Sequence, residues 1–146
     1  MSVPPKVCYA TEQEYRSHFE RVYCQGPIVT FDNIPVRFKK SDFDHCMFES
    51  SQRNRVKDTF SRERAERMDW IKATLIDASA DLRQGWDNKK RRVDPNRRVA
   101  IAHEDFTVVI QVRKRKTGDY AADFVTAYAA SNSISKIRNK PGWAKK

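Results

Sequence analysis

The sequence predicts an α+β fold, helices followed by an antiparallel sheet. Two patterns carry the prediction. Apolar residues recur at helical spacing through residues 11–23 and 61–75, and after residue 97 the period shortens to strand-like segments separated by turn signals. Composition adds a third: 39% of the 146 residues are hydrophobic, with only 4 glycines and 6 prolines, which suits neither a repeat nor a disordered polymer. A mass of 17.1 kDa fits one domain, 1–146.

In chain order, Thr11 followed three residues later by Glu14 reads as a capping box, and Tyr15, Phe19 and Val22 continue a first helix to residue 23. Gly26-Pro27 breaks the chain. Ile28 to Phe31 and Ile34 to Phe38 then form a hairpin turning at Asp32-Asn33, after which Ser41-Asp42 can cap a short segment carrying Phe43, His45 and Phe48. The polar run Glu49 to Lys57 reads as a loop. From Ser61 to Leu75, steps of about 100° per residue put Ala65, Met68, Ile71 and Leu75 on one stripe, with Trp70 opposite. Arg64 shares that apolar stripe, where a cation must be paired or turned toward a cleft, and Arg67 flanks it. Ser79 to Trp86 reads as a further helix and Asn88 to Asn96 as a loop.

Arg98 to Ala102, Phe106 to Val112 and Ala122 to Ala130 form a meander, with Thr117-Gly118-Asp119 as the last turn. Alternation in its final strand places Val125, Ala127 and Ala129 on one face and Phe124, Thr126 and Tyr128 on the other. Asn132 or Ser133 caps a last helix through Arg138, closed by Pro141-Gly142.

Charge indicates the partner. Lys and Arg number 29 against 19 Asp and Glu, a net +10, and residues 91–146 alone hold 13 basic against 5 acidic side chains. Clusters at Arg91-Arg92, Arg97-Arg98, Arg113-Lys114-Arg115-Lys116 and Lys136 to Lys146 suit contacts along a phosphate backbone. Trp70, Trp86, Tyr120 and Trp143, interleaved with them, can stack unpaired bases or pack in the core. No apolar run approaches a membrane span, and the N-terminus has no signal-peptide core, so we expect a cytoplasmic protein without a membrane partner. Cys8, Cys24 and Cys46 are odd in number and lack metal-site spacing, which suits reduced thiols.

Phosphate-cradling glycine loops, the dinucleotide fingerprint and His-Glu-x-x-His are all missing. Asp42 and Asp44 form the one candidate pair for a metal nuclease, and paired acids at that place are more often caps. RNA cleavage without a metal needs a group to take the 2′-hydroxyl proton, one to protonate the leaving oxygen, and cations for the phosphorane. Histidine changes protonation nearest neutral pH, and of His18, His45 and His103 the one beside Asp44, His45, is the strongest candidate.

Four segments carry a resemblance: Val29-Thr30-Phe31-Asp32-Asn33-Ile34-Pro35-Val36, Asp44-His45, Phe60-Ser61 through Arg64-Ala65-Glu66-Arg67 to Trp70-Ile71, and Phe124-Val125-Thr126-Ala127-Tyr128. Together they resemble the phage-associated branch of the barnase, EndoU, colicin and RelE-like (BECR) nuclease superfamily, over roughly residues 28–139, leaving an N-terminal helix (1–27) and a basic tail (140–146) outside. The resemblance implies helices packed on a curved antiparallel sheet and a metal-independent endoribonuclease without cofactor. It further implies His45 as general acid or base, Arg64 or Lys57 at the scissile phosphate, and Thr126 with Tyr128 completing the site.

The expected function is therefore a toxin-type or phage-encoded endoribonuclease that cleaves RNA, with tRNA one candidate, by 2′-hydroxyl attack to a 2′,3′-cyclic phosphate. Arg67, Arg91, Arg92, Arg97, Arg98, Arg113, Lys114, Arg115 and Lys116 would bind the RNA. An acidic inhibitor or immunity protein would plug such a basic site. A non-catalytic nucleic-acid-binding or phage accessory protein is the alternative, and a basic face docked on an acidic protein is a third.

Overall fold

Thr11 opens the first helix as its neighbours predict. Its hydroxyl accepts from the Glu14 amide while the Glu14 carboxylate accepts from the Thr11 amide, capping α1 (Glu12–Tyr23) and turning Tyr15, Phe19 and Tyr23 inward. The computed structural model describes residues 3–50 and 57–144. After α1 come β1 (Ile28–Val29), β2 (Pro35–Arg37), α2 (Ser41–Met47), β3 (Phe48–Glu49), β4 (Thr59–Phe60), α3 (Arg62–Glu66) and α4 (Asp69–Leu75). The chain continues through β5 (Asp81–Asp87), β6 (Arg92–Ala102), β7 (Phe106–Lys114), β8 (Tyr120–Ala129) and α5 (Ile134–Arg138).

Six strands make one sheet in the order β1-β2-β8-β7-β6-β5, antiparallel at every pairing except β2 with β8. The fold is α+β, as expected. The main core lies between one sheet face, which presents Val36, Val108, Ile110 and Phe124, and the inward sides of α1, α2 and α4. The opposite face carries a smaller cluster, Val99, Ile101 and Val109, only partly covered by Ile134 and Ile137 of α5. The C-terminal segment closes the outer edge of β5. The Gln84 amide donates to the Pro141 carbonyl (2.8 Å) and the Trp143 amide to the Leu82 carbonyl (3.1 Å).

Four expectations need correction. The helix expected over 79–86 is instead the end of a turn followed by the strand β5 (Asp81–Asp87). The Asp77 carboxylate accepts from the Ser79 amide and hydroxyl (2.8 and 2.6 Å) in a tight local turn that delivers the chain extended beside β6. The helix expected from 61 to 75 is two. The Met68 amide bonds back to Ala65 and the Trp70 amide to Arg67, a tighter turn that rotates α4 and buries Trp70 with Ile71 and Leu75. The loop expected over 88–96 shrinks to a turn, because β6 begins at Arg92.

The fourth correction is the facing of β8. Val109 pairs with Thr126 and Ile110 with Phe124, which leaves Val125 as an extra residue, a β-bulge. Phe124 and Ala127 both enter the helix-side core, whereas Val125 and Tyr128 pack toward the open face. Simple alternation, which paired Phe124 with Tyr128, is broken at that residue.

Smaller differences lie at helix starts. Ser41 supplies no cap, and Asp42 instead accepts from the Lys39 amide (2.8 Å). Ser133 precedes α5 without a side-chain cap bond. Glu49 joins β3, and residues 51–56 of the expected loop lie outside the described residues. No described helix is long and apolar enough to cross a membrane.

Candidate active site

The bulge at Val125 positions the site. It sets Val125, Thr126 and Tyr128 along a cleft of about 800 Å³ on the open sheet face, floored by Val99 and Val109. β5 and the turn after it supply one wall through Gln84, Gly85, Trp86 and Asn88. The segment around α5 supplies another through Ser133, Lys136, Ile137 and Lys140. His45, exposed on α2, reaches the same cleft. Its described lining holds three permanent cations, Arg97, Lys136 and Lys140, and no carboxylate. Such a cleft attracts anions.

Arg97 is held in place. Its Nε donates to Gln111 Oε1 (3.0 Å), its Nη1 to the Trp86 carbonyl (3.2 Å), and Gln111 Nε2 donates in turn to Asp94 Oδ2 (3.1 Å). The aliphatic stem of Arg97 crosses Gly85 so closely that a Cβ there would lie 2.6 Å from Arg97 Cγ. Glycine at 85 is what lets the guanidinium into the cleft.

No family model, curated protein or solved structure matches the chain. The site therefore rests on its own geometry, which brings three sequence candidates together: His45, Thr126 and Tyr128 all line the cleft. Among the described residues no hydrogen bond occupies the His45 ring or the Tyr128 hydroxyl, and burial raises the Tyr128 phenol above its ordinary value, keeping it protonated. Tyr128 also borders a second cleft of about 230 Å³ beneath α3.

Arg64 lies in that second cleft, half-buried, with Nη1 donating to the Phe48 carbonyl (3.3 Å) and Nε 3.8 Å from Glu49. The cation on an apolar stripe has turned outward. Arg67 lines the same cleft and stacks over Trp70 at 5.4 Å. Lys57 is exposed, and its charge, with that of Arg64, acts on the Cys46 thiol beside His45.

Arg91 and Arg92 follow Lys89 and Lys90 at the exposed tip between β5 and β6, and Arg113 to Lys116 lie at the tip between β7 and β8. Because Arg97 pairs with Gln111, both tips stand at one end of the sheet. Arg113 is paired with Asp123, and Arg115 lies 3.7 Å from Asp119.

Arg98 is a correction. It is 0% exposed, and its Nη1 donates to both oxygens of Asp32 (3.0 and 3.1 Å), so it cannot meet RNA. Asp42 and Asp44 diverge as well: the first serves the Lys39 amide and the second pairs with Arg16 at 2.7 Å. His18 is held between Tyr9 and Asp69, and His103 sits in the β6–β7 turn at φ 48°.

Sequence reasoning missed Gly85 and Gln111, whose contribution is to place Arg97, and grouped Lys136 and Lys140 only with the tail. The available signal was Gly85 itself, a poor residue for a helix interior in a chain with 4 glycines.

Proposed function

We propose that this chain is a metal-independent endoribonuclease of the BECR type. The observation that carries the reading is the convergence of His45, Thr126 and Tyr128 on one cation-lined cleft with no carboxylate in its described lining. The helices on one face of a mostly antiparallel sheet are consistent with the architecture that the resemblance implies.

In this reading the cleft holds RNA with a scissile phosphate against Thr126 and Tyr128. His45 takes the proton from the 2′-hydroxyl as that oxygen attacks phosphorus, and the bond to the 5′-oxygen breaks. The departing oxygen takes a proton from the imidazolium or from Tyr128, whose phenol burial keeps protonated. Arg97, fixed by Gln111 and the Trp86 carbonyl, neutralises the phosphorane, and Arg64 and Lys57 act on the neighbouring phosphate. The products are a 2′,3′-cyclic phosphate and a 5′-hydroxyl. The protein acts in the cytoplasm on RNA, with tRNA a candidate substrate, and an acidic inhibitor would match the cleft's charge.

One observation favours a non-catalytic nucleic-acid binder: no described group orients the His45 ring, whereas a working base is normally held by a partner. Incubation of the protein and His45→Ala with total RNA and defined tRNA in EDTA decides between the two. The nuclease predicts discrete fragments ending in cyclic phosphate, formed about 100-fold more slowly or less by the variant. Intact RNA with binding retained in both proteins would establish the binder.

A further inference from the structure

Trp86 is the tryptophan that the fold leaves outside. Trp70 and Trp143 are 3% and 9% exposed, whereas Trp86 is 46% exposed on the wall of the cleft. A large aromatic ring facing water costs hydrophobic free energy unless something covers it in use. Its surroundings indicate what that is. Lys140 Nζ stands 5.3 Å from the ring centroid, and the Trp86 carbonyl itself holds the Arg97 guanidinium at 3.2 Å. Asn88, also in the lining, brings an amide able to meet a base edge. An exposed ring with one cation over it and a second fixed at its own backbone carbonyl offers a nucleobase a surface and its phosphates two charges.

We infer that Trp86 is the stacking platform of a single-strand subsite, with Arg97 and Lys140 holding the phosphates that flank one unpaired base. The inference rests on the nucleic-acid reading of the cleft and names its substrate class: single strands rather than duplex. In a duplex both faces of every internal base are covered by neighbours, so the indole has nothing to stack on. The cleft's volume of about 800 Å³ lies in the range of pockets that take small ligands, enough for a nucleotide unit.

The probe is a short 2′-O-methyl oligoribonucleotide, single-stranded or annealed to its complement. It keeps bases, sugars and phosphates but lacks the attacking hydroxyl, so it survives either outcome for catalysis. The wild-type protein should bind the single strand at least tenfold more tightly than the duplex, and binding should quench tryptophan fluorescence. Trp86→Ala should lose roughly 5- to 150-fold in affinity together with the quench, and Trp86→Phe should restore most of the affinity without the quench. Because Trp86 is exposed, both variants should fold. Equal affinity for single strand and duplex, or an unchanged affinity in Trp86→Ala, would overturn the subsite. Trp86-dependent binding by a protein that cuts no ordinary RNA sustains the subsite and removes the nuclease. Cutting that is indifferent to Trp86 does the reverse.

Discussion

Arg98 carries a full charge into a place without water. Its guanidinium lies between the rings of Phe31 and Trp143, 5.3 and 5.2 Å away, with Asp32 as its ionic partner. Burial works to raise the Asp32 carboxyl, but the Thr30 hydroxyl and Arg98 overcome it and hold the carboxyl below its ordinary value. Removing one partner of a buried pair strands the other, so Arg98→Ala should lose about 3–5 kcal/mol in urea unfolding. The pH dependence has a definite sign. A depressed carboxylate lends stability that is fully present above its unfolded value of about 3.9 and is lost as pH falls through the lower folded value. Asp32→Asn should therefore be less stable than wild type at pH 7, and the gap between urea midpoints should narrow as pH falls below about 3.9. Only part of this was legible in the sequence. Arg97 and Arg98 look equivalent as a basic pair, but neighbours on a strand point to opposite faces, so one enters the cleft and the other the core. Which is which depends on Asp32, 66 positions away.

Elements differ in how far their own residues determine them. α1 was readable because its cap and apolar spacing are local, and the β7–β8 turn because Gly118 takes φ 94°. β5 was not readable, since an edge strand with few buried side chains takes its conformation from its partner β6. The bulge in β8 likewise exists only in the register with β7, and it lets adjacent residues Val125 and Thr126 both line the cleft. Deleting Val125 would restore plain alternation, leaving Phe124 and Ala127 toward the core and Thr126 and Tyr128 toward the cleft. The variant should unfold within a few degrees of wild type, yet cleave RNA at least tenfold more slowly, because the strand loses its local bend and the cleft part of its floor. Thermal melts and initial rates measured together check the split.

At the scale of the molecule, charge is polarised along the sheet. The β5–β6 and β7–β8 tips gather exposed cations from Lys89 to Arg92 and from Arg113 to Lys116 at one end, while the β6–β7 turn at the other carries Glu104 and Asp105. The net +10 in the sequence shows the sign of the charge but not this direction, which comes from the meander. RNA should approach tips first and slide its strand toward the cleft. Affinity should fall linearly on a log–log plot against salt. Replacing Lys89, Lys90, Arg91 and Arg92 by Gln should flatten the slope by about 3, with little change in the cutting rate at saturating RNA. Titrations at several ionic strengths read the slope directly.

Cys46 stands beside His45 and donates its thiol to the Ala127 carbonyl (3.4 Å), tying α2 to β8 at the back of the cleft. Burial pushes that thiol up to about 11, while Cys8 lies exposed. An alkylating reagent thus reacts with Cys8 at once, with the partly exposed Cys24 next, and with Cys46 only during the moments when the helix lifts from the strand. That last labelling event is a clock wired to the site. Any molecule that settles between His45 and Tyr128 and clamps the two elements together will slow it, so a mixture of RNAs can be sorted for the true ligand by delayed modification before a single cut has been detected.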